Sequence, residues 1–133
     1  MKVHGQCHCG GIRYEADINP DVVTVCHCED CQRLTGSPYR VTVTARRSDI
    51  RIEGEPKAYR RQADSGRIRL MYFCPECGSH LFASDEDEHA RPWGIRWGSI
   101  NERMQLVPTR QIWCRSAAEW AAFPDLPATE MQG

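Results

Sequence analysis

The stretch CHCEDCQRLTG, residues 26–36, sets Cys26, Cys28 and Cys31 at C-x-C-x-x-C spacing. Thiolates this dense read as metal ligands, and thiolate zinc sites normally close with four protein ligands. The stretch therefore needs a fourth ligand from elsewhere in the chain, or it leaves one position to a visiting molecule. How the other cysteines are shared out decides what is built around it.

The remaining cysteines are Cys7 and Cys9, Cys74 and Cys77, and a lone Cys114. In an extended C-x-C, positions i and i+2 share a face, so both sulfurs reach one ion. The intervening His8 and His27 then face the other way. CPECG (74–78) is a zinc-knuckle half-site: Pro75 sets the turn entry and Gly78 permits a left-handed exit. Cys7 and Cys9 would complete that half-site, leaving three thiolates with one free corner. Two of Cys26, Cys28 and Cys31 could complete it instead, leaving the third idle; spacing favours the first partition only modestly. In a further arrangement every cluster is structural, and His4, His8, His27 or His80 fills the second site. Cys114, beside Trp113, reads as a small buried hydrophobe.

At 133 residues the chain fits one domain, 1–133, with enough length to bury a core without disulfide staples. The net charge of −1 gives no global field for nucleic acid, and no basic stripe accompanies the knuckle. MKVHGQCHCGG has no apolar stretch of a secretory signal, and no apolar run approaches the ~20 residues of a membrane helix. A cytoplasmic location is expected. In that reducing setting, so many cysteines read as metal ligands or catalytic thiols rather than a disulfide framework.

Short β-branched and aromatic runs broken by turn residues predict strands at 11–18, 22–28, 39–45, 50–54, 58–63, 68–74, 93–100 and 106–114. In YRVTVTA, Val41, Val43 and Ala45 face one way and Arg40, Thr42 and Thr44 the other. Ser116-Ala-Ala-Glu119 is a capping-box pattern that predicts one short C-terminal helix ending at Pro124. The tail DLPATEMQG reads as frayed. The expectation is an all-β domain with that single helix.

The order G-x-C-x-C-G-x-x-x-Y (5–14), C-H-C-x-x-C-x-x-x-x-G-S (26–37) and F-C-P-x-C-G-S-x-L (73–81) resembles the CENP-V/GFA family, the glutathione-dependent formaldehyde-activating type. The resemblance runs from Gly5 to about Trp120. It implies a tent-like fold of stacked antiparallel sheets around zinc. It implies a structural zinc on Cys7, Cys9, Cys74 and Cys77, and a second, catalytic zinc that can be lost on Cys26, Cys28 and Cys31. It also implies a carbon–sulfur lyase activity, S-(hydroxymethyl)glutathione synthesis, with glutathione and formaldehyde or a similar small carbonyl as partners. Gly98-Ser-Ile-Asn101 departs from the family's Gly-x-Leu-Asp turn. The competing expectation is a zinc-stabilised binding module without catalysis. As supports for chemistry, His27 is a candidate proton donor and Arg33 a candidate carboxylate partner. Thr35, Gly36 and Ser37 are candidates for the rim, and Trp93 and Trp97 for the core.

Overall fold

The computed structural model describes residues 1–132. Ten strands and one α-helix follow in chain order. They are β1 (Lys2–Gln6), β2 (Arg13–Asp17), β3 (Val23–Cys26), α1 (Glu29–Thr35), β4 (Arg40–Ala45) and β5 (Ile50–Glu53), then β6 (Lys57–Gln62), β7 (Ile68–Phe73), β8 (His80–Asp85), β9 (Trp93–Arg96) and β10 (Arg110–Ile112). A three-stranded sheet runs β1-β2-β5, and a seven-stranded sheet runs β10-β3-β4-β9-β8-β7-β6. The pairings are antiparallel except β10 with β3, which is parallel. The protein is thus mostly strands in two sheets with one helix, as expected.

The core lies between the sheets. Val3, Tyr14, Ala16 and Ile50 of the small sheet meet Val43, Phe82, Trp93 and Ile95 of the large one. Tyr14 packs edge-on to Phe82 with ring centroids 5.0 Å apart, and Trp93 stacks on Tyr72 at 4.8 Å. Burying a ring like Phe82 contributes roughly 1.5–3 kcal/mol. The Tyr14 ring lies so close over Gly5 that a Cβ there would sit 2.1 Å from its Cζ.

The helix is not where the sequence pattern placed it. At the C-terminus there are only short 3-10 turns, Cys114–Ser116 and Glu119–Ala121, with Ala117 and Ala118 extended between them. The capping box is not formed, because the Ser116 carbonyl accepts from Gln32 Nε2 at 3.0 Å. The tail is not frayed either: Gln111, Cys114 and Arg115 donate their amides to the carbonyls of Pro127, Thr129 and Glu130. Tertiary pairing overrides a local helix signal here.

The α-helix instead lies inside the cysteine stretch itself. Its N-cap is Cys28, whose sulfur accepts from the Cys31 amide at 3.2 Å. Gly36 closes it at φ 63°, a left-handed C-cap that glycine adopts without strain. The predicted strand 93–100 also ends early, since Trp97–Ser99 is a 3-10 turn.

Candidate metal centre

Two groups of sulfurs emerge from this topology. Cys7 follows β1, Cys9 lies in the turn toward β2, and Cys74 and Cys77 lie in the turn between β7 and β8. Their four sulfurs all lie within 4.8 Å of one another. Cys26 ends β3, Cys28 caps α1 and Cys31 sits in its first turn; these three sulfurs also lie within 4.8 Å of one another. Among the described residues, no fourth cysteine, histidine or carboxylate joins the second group. Of the partitions open in the sequence, the structure takes the one that uses Cys7 and Cys9 with the knuckle.

The spacing suits a metal. A tetrahedral ion with sulfur ligands at ~2.3 Å has S–S edges of about 3.8 Å. Cys7 and Cys9 sulfurs are 3.6 Å apart, Cys9 and Cys74 3.8 Å, and Cys26 and Cys31 3.4 Å. All eight cysteines are free. Amide donors aim at the sulfurs as they do at thiolates: Ile12 N–H to Cys7 at 3.3 Å and Cys31 N–H to Cys28 at 3.2 Å. The residues therefore fit a thiolate-bound ion at both places.

The two groups hold protons differently. Cys77 is pushed down to about 5, first by the Ser79 hydroxyl 3.2 Å away and then by backbone amides. Burial alone would raise Cys7, yet the Ile12 amide and neighbouring sulfurs bring it below the ordinary thiol value. At Cys9 the Gly11 amide lowers, but the sulfurs of Cys7, Cys74 and Cys77 together push it up to about 12. In the three-sulfur group all members are raised. Cys28 raises Cys26, Cys26 raises Cys31, and at Cys28 the effect of Cys31 and burial outweighs the lowering by Cys26.

A cavity of about 850 Å³ opens between α1 and the knuckle; among the described residues no cysteine lines it, and Arg40, in register with Cys26, is the link between its wall and the three-sulfur group. Leu34 and Thr35 of α1 form one wall, and Gly78 and His80 after the knuckle form another. Arg40 stands in register with Cys26 across β3 and β4, and its charge lowers Cys26 and Cys31. Arg96 is 6% exposed and donates to Thr42 Oγ1 at 3.1 Å. Burial first and Arg40 second push its pKa well below the usual arginine value. His80 is held below the usual histidine value by burial and then by Arg96, so it is neutral at neutral pH.

The other sequence candidates fall as follows. His27 is fully buried and does not face solvent. The Gln111 amide is oriented by Phe123, whose carbonyl accepts from its Nε2 and whose N–H donates to its Oε1. That Oε1 therefore accepts a hydrogen bond donated by His27 Nε2–H at 2.9 Å. His27 is thus committed to Gln111, and its ring lies against Tyr39 and Phe123. His4, His8 and His80 join neither sulfur group.

Arg33 is exposed and lies outside the cavity wall. Thr35 and Ser37 line the cavity, whereas Gly36 belongs to a neighbouring hollow. Trp93 is core, and Trp97 packs on the core and lines the cavity as well. Asn101 uses its backbone amide on the His4 carbonyl at 2.7 Å, in a turn away from the sulfurs. Cys114 is half-buried and apart from both groups. The sequence reading missed Arg40, Arg96, Ser79 and Gln111; only the knuckle's following G-S hinted at Ser79.

The family model described as glutathione-dependent formaldehyde-activating enzyme matches residues 2–116. A Penicillium rubens protein provisionally named a glutathione-dependent formaldehyde-activating enzyme is 28% identical over 86 residues. That match takes in 63% of this chain and 44% of the other, so the chain spans under half the length of this curated relative. A Rhodobacter sphaeroides protein of known crystal structure superposes with a TM-score of 0.58, covering 95% of this chain and 99% of that one. At 19% identity this is a likeness of fold alone. Among the described residues, no helix is long and apolar enough to cross a membrane.

Proposed function

The chain belongs to the glutathione-dependent formaldehyde-activating enzyme family, and from that premise we propose that it is a zinc-dependent carbon–sulfur lyase-type enzyme that adds a thiol to a small carbonyl. One observation carries this reading: three sulfurs converge from one short segment and, among the described residues, no fourth protein ligand joins them. Cys7, Cys9, Cys74 and Cys77 hold a structural zinc in this reading, and Cys26, Cys28 and Cys31 hold a second one. When bound at the second place, zinc supplies a soft Lewis acid that favours the thiolate form of an incoming thiol.

The chain's own residues do the rest. The three cysteines present one face to the incoming thiol, because the β3–α1 turn fixes their directions. Arg40 and Arg96 offset the negative charge that thiolates gather there. Leu34, Val41 and Trp97 give the cavity an apolar wall. Neutral His80 and cationic Arg96 offer N–H donors in the same cavity wall. In the reaction the C–S bond forms as the carbonyl π bond opens. The proton lost by the thiol is balanced by one gained at the new hydroxyl, and nothing is oxidised or reduced. Glutathione and formaldehyde are the partners this reading assigns, in the cytoplasm, with both centres on one domain.

The test is exchange spectroscopy on glutathione with formaldehyde, with zinc-replete and chelator-stripped protein. Adduct formation that the zinc-replete protein accelerates, and the stripped protein does not, supports the reading. A folded, zinc-replete protein that leaves the uncatalysed rate unchanged refutes it in favour of a binding module.

A further inference from the structure

The cavity of about 850 Å³ is far larger than a one-carbon carbonyl needs. Its charges are also unbalanced. Arg40 and Arg96 both line it, and no aspartate or glutamate does. The Nε atoms of both arginines are buried and have no hydrogen-bond partner. Arg96 is 6% exposed, and its one side-chain partner is the neutral Thr42 hydroxyl. The nearby Asp85 is taken by Arg67, Arg69 and Arg91. A buried guanidinium with an unpartnered Nε–H and no anionic acceptor is costly, and a planar fork of N–H groups matches a carboxylate.

The rest of the wall is mostly apolar: Leu34, Tyr39, Val41, Trp97, Pro108 and Phe123. Glutathione carries an ammonium beside its carboxylates, and this wall holds no anion to receive it. The complementary shape is a monoanion with a hydrocarbon body.

We infer that the cavity binds an amphipathic organic carboxylate, with its carboxylate on Arg40 and Arg96 and its apolar part against Leu34, Trp97 and Phe123. This rests on the thiol–carbonyl reading, because it makes such an acid one of the two reactants. The carboxylate belongs either to the carbonyl compound, as in a 2-oxo acid, or to the thiol, as in a mercapto acid. The recognition chemistry is the same in both.

The probes are 3-phenylpropanoate and its neutral amide, 3-phenylpropanamide, titrated by calorimetry into the zinc-loaded full chain. The acid should bind at least about tenfold tighter than the amide. Arg40→Gln should erase that preference while the amide affinity stays. Arg96→Lys, which keeps the charge and loses the fork, should weaken the acid alone, with circular dichroism as the check on folding. Equal affinity for acid and amide, or binding of neither, overturns the inference and leaves the arginines as counter-charges for the sulfurs. Two reactive probes locate the carboxylate: 3-phenyl-2-oxopropanoate offered with glutathione, and 2-mercapto-3-phenylpropanoate offered with formaldehyde. Faster addition in either arm supports the inference and assigns the source. Neither arm reacting while glutathione and formaldehyde do overturns it. Acid preference without thiol addition in any pairing overturns the enzymatic reading instead.

Discussion

The two cysteine groups look alike in spacing and differ in how the chain supplies them. The four-sulfur group joins the turn after β1 to the turn after β7, with Cys9 and Cys74 65 residues apart in sequence. An ion there is a cross-link between the two sheets. The three-sulfur group comes from one segment, with Cys26 and Cys31 five residues apart. An ion there ties together little that the chain does not already hold. The surroundings differ in the same sense. The four-sulfur group has Ser79 and amide donors that favour thiolates. The three-sulfur group keeps its protons, and Arg40, in register with Cys26, also lines the cavity.

Breaking the cross-link should have the largest effect. Structural zinc contributes ~10–16 kcal/mol of apparent binding free energy, comparable to the ~5–15 kcal/mol stability of a domain. Cys74→Ser should therefore abolish cooperative thermal unfolding seen by circular dichroism. A wild-type melt in that variant would remove the distinction between the groups. Cys28→Ser should be milder for the fold and severe for function. We expect a melting shift of only a few degrees, a loss of one zinc per chain, and thiol addition slowed at least about 10²-fold.

Lowering the pH should separate the groups next. Metal binding displaces thiol protons. All three thiols of Cys26, Cys28 and Cys31 are raised, so protons compete there at higher pH. Cys77, held at about 5, and the lowered Cys7 keep their anionic forms further into acid, while Cys9, pushed up to about 12 by its neighbouring sulfurs, is the one member there that opposes them. As pH falls from 8, zinc release followed with a colorimetric chelator should occur in two steps, with the three-sulfur group first. Release in one step, or in the reverse order, would contradict the comparison.

The smallest effect should come from Gln111→Leu. It leaves His27 Nε2–H buried without an acceptor, at a cost of roughly 1–3 kcal/mol. Because His27 lies between two of the ligands, zinc affinity of the three-sulfur group should fall about tenfold while the four-sulfur group is untouched. Equal losses at both groups would show that His27 is only a core residue.

Much of this was legible in the sequence, for local reasons. Strand β4 was visible because Val41, Val43 and Ala45 alternate with polar residues, and the knuckle because its spacing is fixed by one turn. Strand β8 was not, because Leu81, Phe82, Ala83 and Ser84 are all buried and show no period of two. Helix α1 was hidden because its N-cap is a cysteine, an unusual capping residue. Arg96 sits in WGIRWGSI like any strand arginine turned to solvent. Its guanidinium is buried once β9 pairs with β4 and meets the Thr42 hydroxyl, and no local pattern encodes that. The capping box at Ser116 misled because a partner 84 residues away takes its carbonyl.

The most direct measurement is zinc K-edge X-ray absorption of the zinc-loaded protein before and after adding glutathione. Four sulfurs at one ion and three at the other give an average of about 3.5 sulfurs per zinc, rising to about 4 when a thiol joins the second. An average already at 4 without thiol, or one that stays near 3.5 with saturating thiol, would contradict an open three-sulfur centre.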